Sequence, residues 1–205
     1  MKTLLLSTAF ALAASLTAWG DAIPYPNIGV VAPTVPLVAA SSGSINGYFY
    51  GASAGDTDQI QMCDLTASFC SPFEFNNQTS AIGSSADFGS VTAGDVLVFN
   101  LMNDTAGYVL SSDPGMSVDG TNHAYVTSYS GTGGPAGIPA GTFVGMEDLA
   151  LPGSDLDYND DQFVFTNVAT SMVPEPSAFL PCLALLAMLP VARRKFGLRP
   201  SAQQQ

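Results

Sequence analysis

Residues 143–165 read FVGMEDLALPGSDLDYNDDQFVF. The runs 142–146 and 162–167 are rich in the aromatic and β-branched residues of strands. They bracket a turn that holds Glu147, Asp148, Asp155, Asp157, Asn159, Asp160 and Asp161. Six carboxylates within fifteen residues repel one another, so a fold that gathers them must protonate some, splay them apart or supply a cation. A hard divalent ion is the simplest remedy. Calcium takes about 6–8 oxygen ligands from carboxylates, amide and backbone carbonyls and water, and it tolerates irregular loops. The expectation is a calcium site built from these seven residues, clamping the end of a β-domain.

Inside the turn Asp155, Asp157 and Asn159 alternate with Leu156 and Tyr158. D-x-D-x-N opens many calcium loops, because alternate side chains of an extended backbone fall on one side. The EF-hand continuation fails here. Asp160 stands where that loop needs Gly, Thr166 stands where it needs Glu, and no helical period flanks it. Calcium ligation is therefore expected on a β-scaffold, with Glu147 and Asp148 completing the shell if the two strands pair.

Outward from the turn, short β-type runs alternate with Gly, Asp, Asn and Ser clusters. Candidate strands are 45–52, 58–63, 95–101, 107–111, 123–129, 142–146 and 162–168. No stretch between 21 and 172 sustains a period of 3.6. The fold class expected is all-β, an antiparallel β-sandwich or jelly roll over residues 41–172. Leu97, Phe99 and Leu101 share one face of their strand and Val96 and Val98 the other, which predicts a central strand buried on both sides. Phe163 and Phe165 share a core face. Residues 21–40 carry four prolines and read as an extended lead-in or an edge strand. Residues 129–141, rich in Gly and Pro, read as an exposed loop.

The charge distribution excludes whole classes of function. The five basic residues are Lys2, Arg193, Arg194, Lys195 and Arg199, so residues 21–172 have no Lys or Arg against sixteen acidic side chains. Nucleic-acid binding, which sets cations against phosphates, is excluded as a role for this region. Cys63 and Cys70 can close MCDLTASFC as a disulfide in an oxidising compartment, or remain free thiols. The single histidine, His123, has no nucleophile motif beside it and reads as a solvent-facing strand or turn residue. Asp113, Asp119, Asp56 and Asp58 sit in turn-forming sequences and read as turn residues. No catalytic residue is assigned. A glycosidase pair needs two carboxyl groups at a set separation, which six crowded ones do not offer.

Both ends carry addresses. Met1-Lys2 and the apolar run 4–16 have the form of a secretory signal, with cleavage expected after Gly20, so that 1–20 is leader. At the other end Val173-Pro174-Glu175-Pro176 leads into SAFLPCLALLAMLPVA and then Arg193-Arg194-Lys195. The apolar segment reads as one membrane-spanning helix whose basic flank stays cytoplasmic, holding the domain on the periplasmic side of the inner membrane.

Pro-Glu-Pro, one hydrophobic segment and an Arg cluster, over residues 173–205, resemble the PEP-CTERM sorting signal of Gram-negative bacteria that make exopolysaccharide. The resemblance implies processing by an exosortase near Pro174 to Pro176, then release or transfer to the cell surface. The tail FGLRPSAQQQ is a departure from that pattern. A second resemblance covers roughly 94–168. Glu147-Asp148-Leu149, Ser154-Asp155, Asp157-Tyr158-Asn159-Asp160 and the strand 163–165, with GDVLVFNL and SSDPGMSVDGTNHAYV upstream, are similar to a bacterial extracellular domain family of unknown function. Met146 and Asp161 depart from it. It implies a β-rich exported domain with calcium and no established reaction. The function expected is a calcium-stabilised cell-surface or matrix protein, the alternative being a module that binds extracellular polysaccharide.

Overall fold

Leu97, Phe99 and Leu101 on one strand and Phe163 and Phe165 on another carry two apolar strand faces, and burial drives them together. In the computed structural model, which describes residues 23–171, the rings of Phe99 and Phe165 stack with centroids 4.0 Å apart. The leader, the sorting signal with Arg193, Arg194 and Lys195, and the expected membrane helix lie outside the described residues. Among the described residues no helix is long and apolar enough to cross a membrane.

The strands are β1 (Leu37–Ala39), β2 (Gly43–Ala52), β3 (Asp58–Asp64), β4 (Phe69–Cys70), β5 (Ser85–Val91), β6 (Val96–Asn103), β7 (Tyr108–Ser111), β8 (Ala124–Tyr129), β9 (Gly141–Met146), β10 (Asp161–Thr166) and β11 (Val168–Thr170). A single 3-10 turn, Pro114–Met116, lies between β7 and β8. The strands form two antiparallel sheets that face each other as a β-sandwich. One has the order β11-β1-β6-β3-β4 with β7 also on β6; the other is β5-β2-β10-β9-β8. Leu97, Phe99 and Leu101 of β6 and Ile60 and Met62 of β3 meet Phe49 of β2, Val144 and Met146 of β9 and Phe163 and Phe165 of β10 in one core.

Several expectations are corrected. The lead-in is not an edge: β1 pairs β6 on one side and β11 on the other. The run 162–168 is not one strand. Asn167 takes a left-handed conformation, φ 63°, and the chain passes there from the five-stranded sheet to the six-stranded one. The Asn167 side chain holds the crossing by accepting from Ser41 N and Oγ and donating to Ser41 O. β6 is central, as expected, and Val98 and Asn100 of its outer face are buried, but Val96 is 43% exposed.

β5 is a strand that alternation misses, because SADFGSV offers only Phe88 and Val91 to the core. Its partner β2 has Gly47 beneath the Phe88 ring, where a Cβ would strike Phe88 and Phe165. Residues 129–141 are not simply exposed. Ile138 is 4% exposed and packs with Tyr50, Tyr129, Phe143 and Val164 on the outer face of the five-stranded sheet. An apolar outer face needs a cover, and this loop supplies part of it.

Cys63 and Cys70 are cross-strand partners of β3 and β4 and are joined by a disulfide.

Phe165 touches the rings of Phe88, Phe99 and Phe163. Phe165→Ala should lower the free energy of unfolding by about 3–5 kcal/mol. Val96→Ala, at an exposed position of β6, should cost less than about 1 kcal/mol. Urea denaturation of both variants checks the contrast, and comparable losses would contradict this placement of the core.

Candidate metal centre

β9 and β10 pair directly, Asp161 opposite Met146 and Phe163 opposite Val144, so the acidic stretch is the connection between two neighbouring central strands. Its first residue organises it. Glu147 is fully buried, and its carboxylate accepts from Ser154 Oγ, from Leu156 N at 3.1 Å and from Tyr158 N. Donors two residues apart can both turn inward because Leu156 and Tyr158 have left-handed backbones, each with φ 58°. Bulky residues adopt that conformation at a cost of about 1–2 kcal/mol each, and only where the surroundings over-determine it. Here both side chains are buried with Tyr25 and Ala32 of the lead-in. Tyr158 Oη accepts from Ala32 N at 2.7 Å.

The alternation of Leu156 and Tyr158 with Asp155 and Asp157 thus divides anchors from acids. Glu147, Asp155 and Asp157 each offer a carboxylate oxygen, and these oxygens all lie within 4.8 Å of one another. Asp155 is exposed and Asp157 partly buried. Asn159 donates to the trio: its backbone N donates to Asp157 Oδ1 at 3.0 Å, and its amide Nδ2 donates to Asp157 Oδ2. This trio of acids could hold a metal ion, and oxygen donors alone favour a hard cation.

Asp148, Asp160 and Asp161 form a second group rather than joining the trio. Asp160 Oδ2 accepts from Asp148 N at 3.1 Å. Asp161 is fully buried and its carboxyl group meets that of Asp58. Asp58 corrects the sequence reading: it is no loop-turn residue but the first residue of β3, fully buried. Asn77 Nδ2 donates to Asp58 Oδ2 at 2.9 Å, and Asn103 Nδ2 donates to Asp56 Oδ2 at 2.8 Å and to Asp148 O at 2.9 Å. The D-x-D of residues 56–58 ahead of an apolar strand was the available signal, but it lies far along the chain from the β9–β10 connection.

Burial without a counter-charge dominates the electrostatics. Desolvation pushes Asp58 up to about 7, with the charges of Asp56 and Asp160 adding to it against the contact with Asp161 and the bond from Asn77. Burial likewise pushes Asp160 up to about 7, where Asp148 and Asp157 add repulsion and the Asp148 N–H opposes it. Asp161 is driven well above the ordinary carboxylate range by burial and then by Asp58, Asp148 and Asp160. Burial also raises Glu147, Asp148 and Asp157.

His123 is corrected too. It is fully buried, with Nε2 at 3.0 Å from Asp119 Oδ2. Asp119 accepts as well from Leu151 N at 2.9 Å and Thr121 N at 3.0 Å. Burial would raise Asp119, but these N–H groups and His123 outweigh it and lower its pKa. The pair props the β9–β10 connection from the side. Asp113 is the turn residue expected, accepting from Gly115 N at 2.9 Å.

No family model matches the chain, and neither does any curated protein or any solved structure.

The raised carboxyl groups fix a pH dependence. Unfolded, Asp58 and Asp160 titrate near their ordinary 3.8; folded, near 7. Between those values the folded chain holds protons that the unfolded chain has released, so stability falls as pH rises. With a chelator present, Tm should decline as pH rises from about 4 through about 7. Saturating calcium should flatten the decline. A pH series of thermal melts checks it, and a Tm that climbs with pH across that window in chelator would contradict it.

Proposed function

We propose that the chain is an exported, calcium-stabilised surface or matrix protein, carried out by its leader and held at the inner membrane by its C-terminal segment until an exosortase cleaves near Pro174 to Pro176. The observation that carries the calcium part is the convergence of Glu147, Asp155 and Asp157 within 4.8 Å in a region that has no Lys or Arg from 21 to 172. Export and processing rest on the sequence motifs at the two ends, and an oxidising destination agrees with the Cys63–Cys70 disulfide.

Calcium suits this arrangement because the loop is irregular and its donors are oxygen. Bound between Glu147, at the end of β9, and the Asp155–Asp157 segment that leads into β10, an ion closes the 14-residue connection and stabilises only the folded chain. At a free concentration about 100 times the dissociation constant the gain is about 2.7 kcal/mol.

A second reading, binding of extracellular polysaccharide, is favoured by one observation. A cavity of about 390 Å³ lies on the outer face of the five-stranded sheet, lined by Ile23, Pro24, Tyr50, Ser128, Tyr129 and Thr132. Aromatic rings beside hydroxyl groups suit a sugar. Retention on an exopolysaccharide column would favour this reading, and free passage in calcium would count against it.

The calcium reading is tested by melts of the purified chain with calcium and with chelator. Asp155→Ala and Asp157→Ala should each remove most of the loop's share of the calcium-dependent rise in Tm. Asp87→Ala, an exposed acid on β5, should leave the rise intact. Equal effects of all three variants would remove the loop site.

A further inference from the structure

Asp161, Phe163 and Phe165 alternate along β10, so all three face the other sheet. By the same parity Asp58, Ile60 and Met62 face inward from β3, and Leu97, Phe99, Leu101 and Asn103 from β6. The core therefore ends in a polar layer at the start of β10, where Asp161 of the five-stranded sheet meets Asp58 of the six-stranded one. Both residues are 0% exposed. Neither Asp161 oxygen has a hydrogen-bond donor, and Asp58 Oδ1 has none either.

Two carboxyl groups in contact can bond to each other only if one carries a proton. As carboxylates they need a cation between them, since burying unpaired like charges is strongly unfavourable. Residues 21–172 contain no Lys or Arg to provide one, and His123 is committed to Asp119. The surroundings are held for a ligand. Asn77 fixes the other Asp58 oxygen at 2.9 Å. Asn103, opposite Asp58 in the β3–β6 register, ties Asp56 to the backbone of Asp148. Ser53 N and Ala54 N, on the connection from β2 to β3, bond to Asp160 O at 2.9 and 3.2 Å, so the connection is fastened beside the acids.

We propose that the Asp58–Asp161 carboxylate pair, flanked by Asp148 and Asp160, is a second hard-divalent-cation site that staples the two sheets together. It deepens the calcium reading of the β9–β10 connection but rests on different side chains, so each can fail without the other. Its donor set is oxygen only, which selects calcium or magnesium over softer metals. Its place differs in kind from that of the loop trio. The trio closes one connection within the five-stranded sheet, whereas an ion at Asp58 and Asp161 joins strands from opposite sheets.

The test uses the purified full chain, stripped with chelator and titrated calorimetrically with calcium chloride and, separately, magnesium chloride. Asp58→Asn and Asp161→Asn should each bind one ion fewer than the parent, while Asp157→Ala keeps this ion and loses the loop ion. Loss of an ion in the two Asn variants with either salt supports the site, whatever Asp157→Ala does. A second readout protects against misfolding. In chelator Asp58→Asn should melt about 2–4 °C above the parent, because the introduced amide donates to Asp161 where a carboxylate repels it. In saturating ion that order should reverse. Parent stoichiometry in both Asn variants with both salts, the pair then sharing a proton and nothing else, would overturn the proposal.

Discussion

Negative charge is buried at one end of this sandwich without a positively charged side chain to balance it. Water cannot solvate Asp58 and Asp161, which are both fully buried, and an uncompensated charge in such a place is among the most expensive features a fold can carry. Only a proton or a bound cation can neutralise them in a region with neither Lys nor Arg. The β9–β10 connection and the response to pH both turn on how that charge is met. The apolar part of the core is ordinary by comparison, a close-packed set of Phe, Leu, Ile and Val across two sheets.

The β9–β10 connection shows how an acidic loop can be rigid without any ion pair of its own. Glu147 is its hub, a buried carboxylate that gathers backbone N–H groups from Leu156 and Tyr158. The left-handed residues that make this possible are held by packing of their side chains under the lead-in. The Asp119–His123 pair reaches the same connection through Leu151 N. Three separate parts of the chain thus fasten one loop, and the outward acids Asp155 and Asp157 are presented on a fixed base. Preorganisation of this kind lets a weakly held ion bind without ordering the loop first.

Placement of the acids decides what each can do. Exposed or half-exposed carboxylates, as at Asp155 and Asp157, can exchange an ion with solvent. Carboxylates sealed between sheets act on the stability of the whole domain, because an ion there is lost only when the sheets part. The disulfide between β3 and β4 adds a constraint on the unfolded chain that does not depend on any ion.

Much of the fold was legible along the chain. Alternation of Leu97, Phe99 and Leu101, and of Phe163 and Phe165, follows from the two-residue period of a strand, and these faces do form the core. The crowding of acids between 147 and 161 marked the loop. Legibility ended where a residue's role depends on partners distant in sequence. β5 was hidden because a strand lying over Gly47 needs only Phe88 and Val91 to be apolar. The passage at Asn167 was hidden because a left-handed residue looks like any other Asn in a string. The seven acids and amides of the turn looked like one ligand set because spacing alone cannot say which way a looped backbone turns each side chain.

The amino-acid sequence by itself determined the class of fold, the absence of a balancing cation and the stretch where charge would concentrate, since composition and short-range periodicity carry all three. Tertiary structure decided the rest. It parted Glu147, Asp155 and Asp157 from Asp148, Asp160 and Asp161, and it set Asp161 against Asp58 across the core. Contact between opposite sheets depends on how the whole chain crosses and packs, and no local pattern records that.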